Sequence, residues 1–187
     1  TDRLGGNFEK SFAINVTNAN EAPAVDLNGR LIAGLDFGAT LVAGSPAVSI
    51  VEPQSLRVSD IDSSLLSSAS ITIANLRDGA AESLSATTVA GIAVNYDSAT
   101  GTLTLTGTAS LSDYENVLRS VKYGNSSSSP NTTPRVIQFT VTDTGGAAST
   151  VVTSIVGLIS AASRPTFVFA NGVGGTGLFD EASDVTI

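Results

Sequence analysis

Apolar and polar residues alternate along most of this chain with a period of two. In "SITIANL", Ile71 and Ile73 are interleaved with serine and threonine, and in "GTLTLTG", Leu103 and Leu105 share one face. "RVIQFTVTD" brings Val136 or Ile137 into the same rhythm, then Phe139 and Val141, and "STVVTSIVGLI" continues it. Near the start, "FAINV" sets Phe12, Ile14 and Val16 against small or polar residues. Successive side chains of a strand leave opposite faces, so each segment predicts a strand with one face buried. The stretches "RDG", "DSATG" and "DTGG" form turns, which predicts antiparallel connections. The fold class that follows is all-β, an antiparallel β-sandwich.

One segment departs from this period. "SLSDYENVLRSVKY" places Leu111, Tyr114, Val117 or Leu118, and Val121 at helical spacing, and Ser112 followed by Glu115 has the pattern of a capping box. One or two helical turns are expected here, running into a strand near "RSVKY". Asp113 falls in the first turn, where the helix dipole favours a carboxylate. The stretch from Gly124 to Pro134 reads as a polar loop. Asp78 and Asp97, in "RDG" and "YDSATG", read as hairpin-turn residues.

An internal repeat suggests how the chain is divided. "TDRLGGNFEKSFAINV" from Thr1 matches "TDTGGAASTVVTSIV" from Thr142 in its Thr-Asp, its Gly-Gly, a short polar stretch and an alternating strand. Residues 1–23 are therefore expected to be the last strand of a preceding module plus a linker, and residues 24–163 one complete module. Residues 164–187 would open a following unit or form a tail.

Composition narrows the chemistry. Of 187 residues 42% are hydrophobic, enough for a sizeable core. Nine Lys and Arg are scattered among 17 Asp and Glu, for a net charge of -8, so no basic patch is available for nucleic acid. There is no Cys or His, which removes disulfides, thiolate nucleophiles, the imidazole base and most transition-metal sites. Cations that prefer oxygen remain. No apolar run approaches the roughly 20 residues that span a bilayer, so no membrane insertion is expected. Abundant Ser, Thr, Gly and Ala with little Lys fit an extracellular or cell-surface protein.

Oxygen-bearing side chains gather at the ends of the predicted strands. The stretch after "FAINV" supplies Asn18, Asn20 and Glu21, followed by Asp26 and Asn28. "SIVEPQ" supplies Glu52, "VSDIDSS" supplies Asp60 and Asp62, and "VTDTGG" supplies Asp143. Calcium takes six to eight oxygens from carboxylates, amides, carbonyls and water. Asp-x-Asp on an extended segment aims both carboxylates to one side, which suits one ion. The competing reading is local: Asp and Asn recur in turns because they accept backbone N–H groups there.

These residues resemble a known family. "FAINVTNANEAP" resembles the end of a cadherin-like repeat running into its calcium-binding linker, "SDIDSS" its Asp-x-Asp motif, and "FTVTDTGGAAS" its late strand. The stretch from "LRDGAAESLSA" to "RVIQFTVTD" resembles the variant found in tandem arrays of large bacterial surface or secreted adhesins. The resemblance covers roughly residues 1 to 160. It implies a Greek-key sandwich of cadherin/immunoglobulin-like type, bound to Ca2+ and stiffened by it at the inter-module junction. By position it implies metal ligands at Asn18, Asn20, Glu21, Asp60, Asp62 and Asp143, with Glu52 a looser addition and Asp2 serving the preceding module. The sequence departs from the family at Asn18, Glu21 and Ala22, and "ISAASRP" near Arg164 lacks the acidic motif.

The implied partners are neighbouring modules of the same protein, with homophilic or filament contacts as a further possibility. The alternatives are a carbohydrate- or ligand-binding sandwich, a filament subunit assembled by strand complementation, and an enzyme built on a carboxylate pair; no enzyme is expected. "GVGGTGLFD" has a single-copy likeness to a calcium-binding nonapeptide, and Asn15, Asn125 and Asn131 stand in Asn-x-Ser/Thr sequons.

Overall fold

The computed structural model describes residues 3–5, 9–15 and 19–160. Asn18, Asp2 and everything expected of residues 161–187, including the second junction and the glycine-rich stretch, lie outside the described residues.

In chain order the strands are β1 (Ala24–Asp26), β2 (Phe37–Val42), β3 (Val48–Ser49), β4 (Arg57–Ser59) and β5 (Leu65–Ile73). A single 3-10 turn at Gly79–Ala81 leads into β6 (Glu82–Ser85), β7 (Ala93–Asp97) and β8 (Thr102–Ser110). One α-helix, α1 (Leu111–Arg119), precedes β9 (Lys122–Asn125), β10 (Arg135–Asp143) and β11 (Val152–Ile159). The described residues are all-β apart from that helix and the 3-10 turn.

Six strands form the largest sheet, in the order β2-β11-β10-β5-β8-β7, with β3-β9-β6 and β1-β4 as smaller sheets. Among the described residues pairing is antiparallel with one exception: β2 runs parallel to β11, from Phe37 beside Ser154 to Val42 beside Ile159. Parallel neighbours need a long connection, and here nearly the whole domain lies between the two strands.

The alternation seen in the sequence is realised on the sheet faces. Ile71, Ile73, Leu103, Leu105, Ile137, Phe139 and Val141 are buried, and they share one hydrophobic cluster with Leu84 and Tyr123 from the three-stranded sheet. The helix adds Tyr114 and both Val117 and Leu118 to that cluster. "FAINV" behaves differently. Residues 9–15 form no strand, and Phe12 and Ile14 are largely exposed. Alternation marks a segment able to be a strand, but a strand also needs a partner to pair with.

The helix is capped two residues before the expected capping box. Ser110 is the N-cap, its hydroxyl accepting the Asp113 N–H at 3.1 Å. Asp113 is the acidic residue of the first turn, as its position in the sequence suggested.

Asp97 accepts the Ala99 N–H and the Thr100 hydroxyl in the β7–β8 turn, and these bonds hold its carboxyl below the ordinary value. Asp78 is not a hairpin-turn residue. Its carboxylate accepts from Arg135 Nη2 at 2.7 Å and from Asn125 Nδ2 at 2.7 Å, within a buried network that Glu82 completes. Asn125 is thereby buried and committed as a donor, which removes it as a glycan acceptor.

Candidate metal centre

β10 carries five alternate residues to its inner face: Arg135, Ile137, Phe139, Val141 and Asp143. Asp143 closes that series and is fully buried. Its register against β5 shifts between Thr142 and Asp143, and Ser67 Oγ donates to the Asp143 carbonyl at 2.7 Å. The turn that follows folds back so that the Ala147 N–H reaches Asp143 Oδ1 at 2.9 Å. The other carboxylate oxygen, Oδ2, accepts from Asn20 Nδ2 at 2.8 Å. A chain segment 123 residues away thus docks on the end of β10.

The next residue, Glu21, meets the turn after β4. Its N–H donates to Asp62 Oδ2 at 3.2 Å. Asp60 Oδ1 in turn accepts from the Asp62 and Ser63 N–H groups, both at 3.2 Å. This turn, rather than the alternation of an extended strand, brings Asp60 and Asp62 together. Asp60 Oδ2 is buried and has no hydrogen-bond partner. Beside it lies an open depression of about 340 Å3 lined by Ala22, Ala24, Ser59 and Ile61.

The Glu21 carboxyl is exposed, yet it is held above the ordinary carboxylate value. Local desolvation is the first cause, then the charge and the side-chain hydrogen bond of Asp62, with Asp60 adding to them. Negative charges set side by side repel, and a cation between them would relieve that repulsion.

Glu52 lies elsewhere. Its N–H donates to the Leu27 carbonyl beyond the Asp26–Arg57 end of the β1–β4 ladder, whereas Asp60 follows the Ala24–Ser59 end. Three strand positions separate Ala24 from Leu27, about 10 Å of chain. Glu52 Oε1 accepts the Gln54 N–H at 3.4 Å within its own turn. Asp26 and Asn28 also serve a local turn. Asp26 Oδ1 accepts the Asn28 and Gly29 N–H groups, and Gly29 has φ +78 with no room for a Cβ against Ser55.

The candidate ligands therefore separate into two groups. Asn20 and Asp143 satisfy each other; Glu21 meets the turn that carries Asp60 and Asp62. Among the described residues, no three carboxylates are close enough as placed to hold an ion between them. The donor chemistry of the second group still fits a hard cation, being all oxygen with one buried oxygen unpartnered.

Two residues of the junction escaped notice in the sequence. Gly145 gives Asn20 its seat, and Ser67 anchors Asp143 from the neighbouring strand. Glycine in "DTGG" signals only a turn, and neither contact is local in sequence. No protein-family model matches the chain, and comparison with curated proteins finds no match either.

Proposed function

We propose that this chain is a calcium-binding structural and adhesive module of an extracellular, repeat-containing surface protein, in which the ion stiffens the entry of the preceding segment. In this reading the six-stranded and three-stranded sheets face each other as a Greek-key sandwich, and neighbouring modules are the partners. The observation that carries it is the docking of the Glu21 N–H on Asp62 Oδ2, in the turn whose Asp60 Oδ2 is buried and unpartnered. Calcium held by Glu21, Asp60 and Asp62, with carbonyls and water completing its shell, would replace mutual repulsion by attraction and fasten residues 20–22 to the turn after β4. The role is mechanical: it fixes the direction in which one module leaves the next.

A melting experiment tests this. At a hundredfold excess over Kd, an ion bound only by the folded state adds about 2.7 kcal/mol, a rise of roughly 5–10 °C in Tm for a domain of this size. Glu21→Gln combined with Asp62→Asn is expected to abolish the rise. Identical melting of the unaltered chain in calcium and in chelator would sink the proposal.

A further inference from the structure

We propose that Asn20 is a latch that works without any ion, seated on Gly145 and closed on Asp143, and that it is a positioning residue rather than a metal ligand. The geometry leaves Asp143 little to offer a cation. It is fully buried, one carboxylate oxygen takes the Ala147 N–H, and the other takes the Asn20 amide at 2.8 Å. An N–H donor to a carboxylate is among the stronger hydrogen bonds, and here it supplies a buried charge with its second donor. Asn20 must point its amide nitrogen inward to do this, since its carbonyl would repel the Asp143 oxygen.

Gly145 provides an independent sign that this seat is built. A Cβ there would stand 2.3 Å from Asn20 Oδ1, 2.5 Å from Cγ and 2.6 Å from Nδ2. Any side chain at 145 would displace Asn20, so the contact itself calls for glycine there. The seat is also rigid, because Ser67 Oγ holds the Asp143 carbonyl and the Asp143 N–H bonds back to the Ala147 carbonyl at 3.0 Å.

The latch sets the next residue. With Asn20 closed, the Glu21 N–H lies on Asp62 Oδ2 and the Glu21 carboxyl is delivered beside Asp62. This last step rests on the proposed function; the latch itself does not.

Hydrogen exchange of the Glu21 amide, measured on the full chain in chelator, tests the two separately. Asn20→Ala is expected to speed that exchange about tenfold, the effect of losing one charge-assisted hydrogen bond. Gly145→Ala should do the same from the opposite side of the contact, and Asn20→Asp should do so by setting a second carboxylate against Asp143. Exchange in chelator that stays unchanged in both Asn20→Ala and Gly145→Ala overturns the latch. A change seen only when calcium is present also overturns it, since Asn20 would then be a ligand. If calcium alters nothing in the unaltered chain while both variants still loosen Glu21, the calcium reading fails and the latch stands.

Discussion

Arg135 is fully buried and donates from Nε to both Glu82 oxygens, at 3.0 and 2.9 Å, while Nη2 reaches Asp78 and Nη1 reaches the Asn131 and Thr133 carbonyls. Glu82, also fully buried, accepts in addition from the Arg77 and Asp78 N–H groups and from the Tyr123 hydroxyl. Ion pairs of this kind add little net stability over an apolar core, yet losing one partner strands the other charge. Arg135→Met is therefore expected to cost about 3–5 kcal/mol in urea unfolding. Arg135→Lys should recover little of it, because a single ammonium cannot copy the guanidinium fork. The same network also bears on stability at alkaline pH. Burial pushes the Tyr123 hydroxyl well above its ordinary value, and the Glu82 charge adds to this. Tyrosine in the unfolded chain ionises near pH 10. Above that pH the unfolded state holds fewer protons than the native one, so stability is intact below pH 10 and falls as pH rises beyond it. Tyr123→Phe should flatten that fall by up to about 1.4 kcal/mol per pH unit, read from urea midpoints between pH 9 and 11.

Individual elements differ in how much of their cause lies within their own residues. The helix is almost wholly local: its apolar spacing buries Tyr114, Val117 and Leu118, and only its start was misjudged. Two serines two positions apart could both cap, and the choice falls on Ser110 because β8 runs in extended form as far as that residue. Ser110→Ala is expected to cost about 1 kcal/mol of stability and exposed Ser112→Ala less than about 0.5, as judged by chemical unfolding. Equal losses from both would mean that Ser112 shares the cap. The long strands were equally legible, since Ile71, Leu103 and Phe139 sit on the faces their spacing assigns. β1, β3 and β4 have two or three residues each, too few to show a period. Pairing direction was not legible either, because alternation describes one strand and the parallel β2–β11 contact is a property of two. The end residues of β10 were a missed signal. The period that buries Ile137, Phe139 and Val141 also carries Arg135 and Asp143 inward, so both charges could have been placed in the core from sequence. What they meet there, Glu82 and Asn20, could not. The candidate site divides in the same way: Asp60 and Asp62 were legible as neighbours, whereas their encounter with Glu21 depends on the docking of the incoming chain.

At the scale of the whole molecule, a net charge of -8 means that added cations of any kind stabilise the fold to some degree by relieving self-repulsion. A rise in Tm with calcium is therefore informative only against a matched ionic background. General screening depends on ionic strength, and the Debye length is already about 8 Å at 0.15 M salt. Binding at the proposed site would depend instead on ion identity and on Glu21, Asp60 and Asp62, three of 17 acidic residues. The two effects respond differently to substitution. Glu21→Gln with Asp62→Asn lowers the negative charge by two, which by screening arguments alone makes the protein more stable in chelator and slightly less responsive to salt. Removing a site instead erases the calcium response while leaving the sodium response nearly whole. With sodium chloride held at about 0.15 M, millimolar calcium is expected to raise the Tm of the unaltered chain and to leave that of the double variant where chelator leaves it. Magnesium should do less, because it demands a tight octahedral shell and dehydrates reluctantly, and an open site with a single buried unpartnered oxygen suits the looser shell of calcium. Equal shifts from calcium, magnesium and added sodium, in both proteins, would assign the whole effect to net charge and leave the entering segment held without a metal, by the Asn20–Asp143 and Glu21–Asp62 hydrogen bonds.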